Sequence, residues 1–154
     1  MLKYNEWIFS SCDSNIEHMV TDIRLYSDDK EKIEIELKPV SVYPTDNYTM
    51  SWEDWNCYDS IRIYKTDYEI LLLPAIKALF PVIDPDPNGW GVQESFDLTS
   101  MNFFGKEDWQ RLINNLTVCM EVAEETKKEF YYVVIQYLED FMTISDWFCI
   151  EGNL

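Results

Sequence analysis

The sequence predicts an α+β fold, a small antiparallel sheet packed against a C-terminal pair of helices, and three observations carry that expectation. Apolar and polar residues alternate with period two between residues 21 and 38 and again between 60 and 65, as in strands with one buried face. The last third instead follows the i, i+3, i+4, i+7 spacing of amphipathic helices. The chain of 154 residues falls at the usual size of one core, so residues 1–154 are expected to form a single globular domain.

Taken in order, Trp7, Ile8 and Phe9 suggest a short strand. Ile16, Met19, Val20 and Ile23, following Ser14 as a possible N-cap, suggest a helix after it. Ile23 and Leu25, then Ile33, Ile35 and Leu37, flank the polar run SDDKE and read as a β-hairpin over 21–38. Ile61 and Ile63 alternate with Arg62 and Tyr64 and predict a strand over 60–65. The stretch PTDNYTMSWEDWNCYD before it is too polar and too rich in turn residues for regular structure. Residues 67–80 read as a buried helix that Pro74 kinks or restarts. PVIDPDPNGWG gathers three prolines and two glycines into one irregular loop.

Trp109, Leu112, Ile113, Leu116, Cys119, Met120 and Ala123 predict a helix from about 106 to 125. Phe130, Val134, Tyr137, Leu138 and Phe141 predict a second, with Thr126 and Glu129 spaced as a capping box at its start, the alternative being one long, slightly broken helix. The tail DWFCI is apolar enough to pack back on the body.

Charge narrows the function. Twenty-nine Asp and Glu against 12 Lys and Arg give a net charge of −17. Self-repulsion of that size costs stability, and recognition of a cationic partner is a reason to tolerate it. Nucleic-acid binding requires clustered cations, whereas the arginines, Arg24, Arg62 and Arg111, are scattered. Anionic membrane surfaces are disfavoured by the same sign of charge, and the apolar run 70–76 is too short to span a bilayer. The opening MLKYNEWIFSSC lacks the pattern of a signal peptide. Together with the wide spacing of Cys12, Cys57, Cys119 and Cys149 it predicts a cytoplasmic protein with reduced thiols.

No catalytic, metal-ligating or cofactor-binding set is expected. His18 is the only histidine, no nucleophile elbow accompanies it, and the four glycines form no phosphate-cradling loop. The run from Asp84 to Gly89 begins like a calcium-binding loop, but its twelfth position is Ser95 where a bidentate Glu is required, and prolines stiffen it. What remains is carboxylates interleaved with indoles. Trp52, Glu53, Asp54, Trp55 and Asp59 form one cluster, and Asp84, Asp86 and Trp90 repeat the combination. Rigid aromatics anchor interfaces and carboxylates steer basic partners, so these eight residues are the expected binding set.

In WEDWNCYD, in DPDPNGW and in its overall acidity the chain resembles the immunity proteins of bacterial contact-dependent growth inhibition and related polymorphic toxin systems. The resemblance implies a non-enzymatic partner: an acidic surface that occupies or shields a basic, nuclease-type toxin domain. Two rival readings follow from the same residues. One is a nucleic-acid mimic that competes for a DNA-binding groove, and the lysines in KEKIEIELK and ETKKEF weigh against it. The other is a calcium-binding module built on the Asp84 loop.

Overall fold

The computed structural model describes residues 1–10, 17–40, 58–87 and 89–154. Eight strands and three helical runs are defined within them. In chain order these are β1 (Lys3–Ser10), β2 (Glu17–Arg24), β3 (Glu34–Val40) and β4 (Ser60–Tyr64). The helical run α1 follows, built of an α-helical turn Lys65–Asp67, a π-helical stretch Tyr68–Leu72 and an α-helical stretch Leu73–Lys77. Then come β5 (Val82–Ile83), β6 (Val92–Gln93), β7 (Met101–Gly105), α2 (Lys106–Glu121), α3 (Glu125–Met142) and β8 (Trp147–Gly152).

Six strands form one sheet in the order β1-β2-β4-β3-β8-β7, and β5 pairs with β6 in a separate two-stranded ribbon. All neighbours in the large sheet are antiparallel except β2 and β4. The α+β expectation is met, with a sheet larger than the small one predicted.

Strands are present where alternation placed the hairpin over 21–38, but β2 and β3 are not partners. β4 lies between them, with Ile63 opposite Ile23 on one side and Ile35 on the other. Alternation fixes which face a strand buries, not which strand lies beside it. The link from Leu25 to Ile33 is held elsewhere. Asp67, fully buried at the start of α1, accepts the backbone N–H groups of Leu25 and Tyr26 at 2.9 and 2.7 Å, and that of Ser27 at 3.4 Å. The link therefore turns around a carboxylate instead of closing a tight hairpin.

The helix expected after Ser14 is a strand from Glu17 onward. Met19, Val20 and Ile23 fit helical spacing, yet Val20, Thr21 and Ile23 are β-branched and β2 is paired on both sides. β7 went unread because MNFFG has no alternation: Asn102 and Phe104 face the helices while Phe103 faces the other way, and all three are buried. The apolar tail does return to the body, as β8, between β3 and β7.

The helices cover one face of the sheet. Ile23, Ile35, Leu37, Ile61, Ile63, Phe148 and Ile150 meet Tyr68, Leu72, Ile76, Trp109, Leu116, Phe130 and Leu138 in one core. Pro74 restarts the helical backbone as expected, at the opening of the stretch after the π turn. The predicted 106–125 helix ends earlier, at Glu121, and a break at 122–124 separates it from α3. The N-cap of α3 is Glu124, with no side-chain bond, so the Thr126 and Glu129 box lies inside the first turns and caps nothing. Tyr131 in α3 donates to the Leu71 carbonyl at 3.0 Å, which ties that helix to the π turn of α1. No helix among the described residues is long and apolar enough to cross a membrane.

Candidate partner-binding site

Of the eight residues singled out in the sequence, Trp52, Glu53, Asp54 and Trp55 lie outside the described residues. Asp59 is exposed and accepts the Met19 N–H at 2.7 Å, next to the start of β4. Asp84, Asp86 and Trp90 fall together in the link between β5 and β6.

That link is built around Asp84. The two strands are only two residues each, pairing Val82 with Gln93 and Ile83 with Val92. So short a ribbon has no stability of its own. The Asp84 carboxylate supplies what the strands lack, accepting the Asp86 N–H at 2.9 Å through Oδ1 and the Trp90 N–H at 2.8 Å through Oδ2. Its own N–H donates to the Gly91 carbonyl at 2.8 Å. Residue 89 is glycine because a Cβ there would sit 2.3 Å from Asp84 Oδ2, and Gly91 takes φ +71°, a left-handed backbone that side chains disfavour. Both Asp84 oxygens are thus turned onto their own loop, and the residue is buried. Asp84 braces the loop that carries Trp90. Among the described residues, no group of three or more His, Cys, Asp or Glu side chains could hold a metal ion.

A second anchor fixes the ribbon to the sheet. The Gln93 side-chain amide donates to the Phe103 carbonyl at 2.7 Å and accepts the Phe103 N–H at 2.9 Å, which mimics a further strand along the outer edge of β7. Asn102, buried beside it, donates to the carbonyls of Asp97 and Ile150 at 2.8 and 3.0 Å and accepts the Asp97 N–H at 2.8 Å.

On this braced support three large apolar side chains face solvent: Ile83 at 68%, Trp90 at 65% and Val92 at 58% exposure. Trp90 and Val92 also line a cavity of about 220 Å³ with Asp97 and Met101. Exposed Glu94 and half-buried Asp86 stand beside them. The indole and acid combination was legible in the sequence. Ile83 and Val92 were not, because a strand of two residues has no period to read.

The other face of the large sheet holds a second feature that sequence reasoning missed. Glu34, Glu36 and Lys38 alternate with the core residues of β3 and would ordinarily be solvated, yet they are 8, 6 and 1% exposed. A cross-strand row runs Asn5, Asp22, Arg62, Glu36, Glu151. Opposite charges therefore meet across β2, β4 and β3, as cross-strand pairing favours. Lys38 Nζ lies 3.2 Å from Glu36 Oε1 and 3.6 Å from Glu151 Oε1, and the Ser60 hydroxyl donates to Glu36 Oε2 at 2.7 Å. Arg62 Nε approaches Glu34 Oε2 to 3.1 Å and Glu36 Oε2 to 3.5 Å. The Glu34 contact is one of charge without hydrogen-bond alignment, since neither Glu34 Oε2 nor Arg62 Nε makes a hydrogen bond. The Arg24 guanidinium stacks 3.7 Å above the Tyr64 ring, and Arg62 lies 4.9 Å from the ring of Trp7.

The carboxylates of this row respond differently. Burial acts on both, but Lys38, the Ser60 hydroxyl and Arg62 hold Glu36 below the ordinary range. Burial dominates at Glu34, where Arg62 opposes it and Glu36, Asp22 and Glu151 add repulsion, so its pKa rises from 4.5 to about 7. Burial likewise pushes the Cys149 thiol up to about 12. Tyr64, which donates to Asp22 at 3.0 Å, also rises to about 12 through burial and the Asp22 charge. Cys119 and Cys149 are free thiols, and Cys12 and Cys57 lie outside the described residues. His18 is buried with its ring 5.2 Å from that of Phe9, and burial lowers its pKa.

Glu34 yields a signed prediction. Its folded pKa is raised, so the folded state binds more protons than the unfolded one between pH 4.5 and about 7, and stability falls as pH rises through that window. At one pKa unit per 1.4 kcal/mol the loss is about 3 kcal/mol. Glu34→Gln removes the titration. Its stability relative to the parent, from urea denaturation, should increase between pH 5 and pH 8; a difference independent of pH would show that Glu34 does not titrate this way.

Comparison of the chain with protein-family models, with curated proteins and with solved structures gave no match. The site is therefore read from its own chemistry.

Proposed function

We propose that the chain is a protein-binding inhibitor of the immunity type, acting in the cytoplasm to neutralise a cationic, nuclease-type toxin domain. The observation that carries this reading is Trp90, 65% exposed between Ile83 and Val92 on a loop braced by Asp84. A large indole held in the open costs hydration free energy unless something covers it, and a rigid support lowers the entropy lost when a partner does. A charge of −17 supplies the complementary half. It draws a basic domain in quickly, and the apolar anchor slows its departure. A protein that has to silence a toxin before it acts needs both. The sequence pattern adds Trp52, Glu53, Asp54, Trp55 and Asp59 to the proposed binding set.

The test is binding to basic, nuclease-type toxin domains, beginning with any encoded beside this chain, followed by surface plasmon resonance. Trp90→Ala should raise Kd by about 30-fold or more, the effect of losing a central anchor worth about 2 kcal/mol, almost entirely through faster dissociation. Asp86→Asn with Glu94→Gln should slow association instead. Unchanged rate constants in both variants would remove this surface from the interface.

A further inference from the structure

The two edges of the large sheet are treated differently. On the β7 side, Gln93 caps the outward N–H and C=O of Phe103. On the other side, β1 pairs only with β2 among the described residues, in unbroken register from Lys3 opposite Arg24 to Ser10 opposite Glu17. Among the described residues, this eight-residue pairing leaves the outer backbone edge of β1 without a neighbouring strand. Folded proteins ordinarily blunt such an edge with a bulge, a proline or inward-pointing charge, because it is a template for another strand. β1 has neither bulge nor proline, its one lysine is at its first residue, and Glu6 is its one mid-strand charge.

The side chains of β1 suit an added strand as well. Tyr4, Glu6 and Ile8 alternate onto the helix side, and Tyr4 and Ile8 are 51 and 62% exposed. Burial first, and the charge of Glu129 on α3 after it, raise the pKa of the Tyr4 phenol. This side therefore offers two apolar contacts with carboxylates at Glu6 and Glu129. On the opposite side Trp7 and Phe9 are half-buried, with ring centroids 6.4 Å apart.

We propose that the free edge of β1 is a docking site for an extended strand of a partner protein, with apolar residues alternating with Lys or Arg. Backbone hydrogen bonds would supply affinity, and Glu6 and Glu129 would select the cationic sequence. The charge of −17 on each chain opposes a second copy as the occupant. The sign of the partner's charge rests on the binding role proposed above, whereas the open edge does not.

The experiment is an NMR titration of the full chain with a synthetic octapeptide of alternating Val and Lys. Two controls accompany it: the same peptide N-methylated at every second residue, which keeps the charge and blocks strand pairing, and a Val and Glu counterpart. The expected result is amide shifts concentrated in residues 3–10, with binding at least about tenfold weaker for the methylated peptide and absent for the acidic one. Ile8→Lys, at an exposed position that should leave the thermal midpoint unchanged, should weaken the Val and Lys peptide similarly. Equal binding of the methylated peptide, shifts elsewhere or no binding would overturn the proposal. A dimer that Ile8→Lys dissolves, seen by sedimentation, would overturn it in favour of a second copy. Strand pairing that persists while no basic toxin domain binds would leave the edge in place and overturn the toxin reading alone.

Discussion

Trp109→Ala should destabilise the fold by about 3–5 kcal/mol, the range for removing a large aromatic from a packed core. The indole is fully buried, stacked on Phe148 at 4.6 Å with planes 9° apart, and 6.0 Å from the ring of Phe104. Its Nε1 donates to the Leu138 carbonyl at 3.1 Å. One residue thereby joins α2, α3, β7 and β8. Truncation leaves a cavity and removes the indole N–H bond to the Leu138 carbonyl, so Trp109→Phe should recover only part of the loss. Urea denaturation monitored by circular dichroism measures both. Trp90→Ala, at an exposed indole, should shift stability by no more than about 0.5 kcal/mol, so the same substitution at two tryptophans separates a core role from a surface role.

Lys38→Met should cost a similar amount, about 3–5 kcal/mol, for a different reason. Met fills the space, but Glu36 is left in a buried site with the Ser60 hydroxyl and a 3.5 Å approach of Arg62 as its remaining partners. In the parent, Glu36 is held below the ordinary carboxylate range. Its contribution is therefore present above its unfolded pKa and lost as pH falls through the folded value. Lys38 is raised, so its own contribution is complete below 10.5 and lost only at more alkaline pH. Without Lys38 the buried carboxyl favours its protonated form, and the gap between variant and parent should narrow as pH falls below about 5. Replacing both residues, Lys38→Met with Glu36→Leu, should recover part of the loss, because the buried Glu36 carboxylate goes with its cation, while Glu151 still loses its Lys38 contact and Arg62 its Glu36 contact. Thermal denaturation at pH 4.5 and pH 8 distinguishes these outcomes.

The parts legible in the sequence are those governed by local period. Helices α2 and α3 were marked by spacing alone, and Ile35, Leu37, Ile61 and Ile63 by alternation. What was not legible depends on tertiary placement. Nothing local to Ile23, Ile35 or Ile63 says that β4 inserts between β2 and β3. Glu34, Glu36 and Lys38 read as a solvated row because opposite charges on β4 and β8 become neighbours only after the sheet forms. The candidate site shows the same division. The Asp84 loop stood out by its prolines, glycines and indole, but the carboxylate expected to face a partner instead accepts the N–H groups of Asp86 and Trp90 and holds Trp90 outward. Gln93 gave no signal at all, because its role is to bracket Phe103 on a strand that the sequence did not reveal.

These arrangements divide the acidic residues into two populations. Buried Asp67, Asp84, Glu34 and Glu36 organise turns and strands. Exposed carboxylates such as Glu94, and Glu129 on α3, supply the field at the surface. Only the second population can steer a partner, and salt in solution screens it over about 10 Å.

The most direct measurement is the association rate constant with the proposed partner, a basic toxin domain, followed by stopped flow between about 50 and 500 mM salt. A fall of about tenfold or more, with little change in dissociation, is expected for attraction by an acidic surface followed by apolar anchoring. A rate that does not change with salt would contradict the proposal that this surface exists to capture a cationic partner.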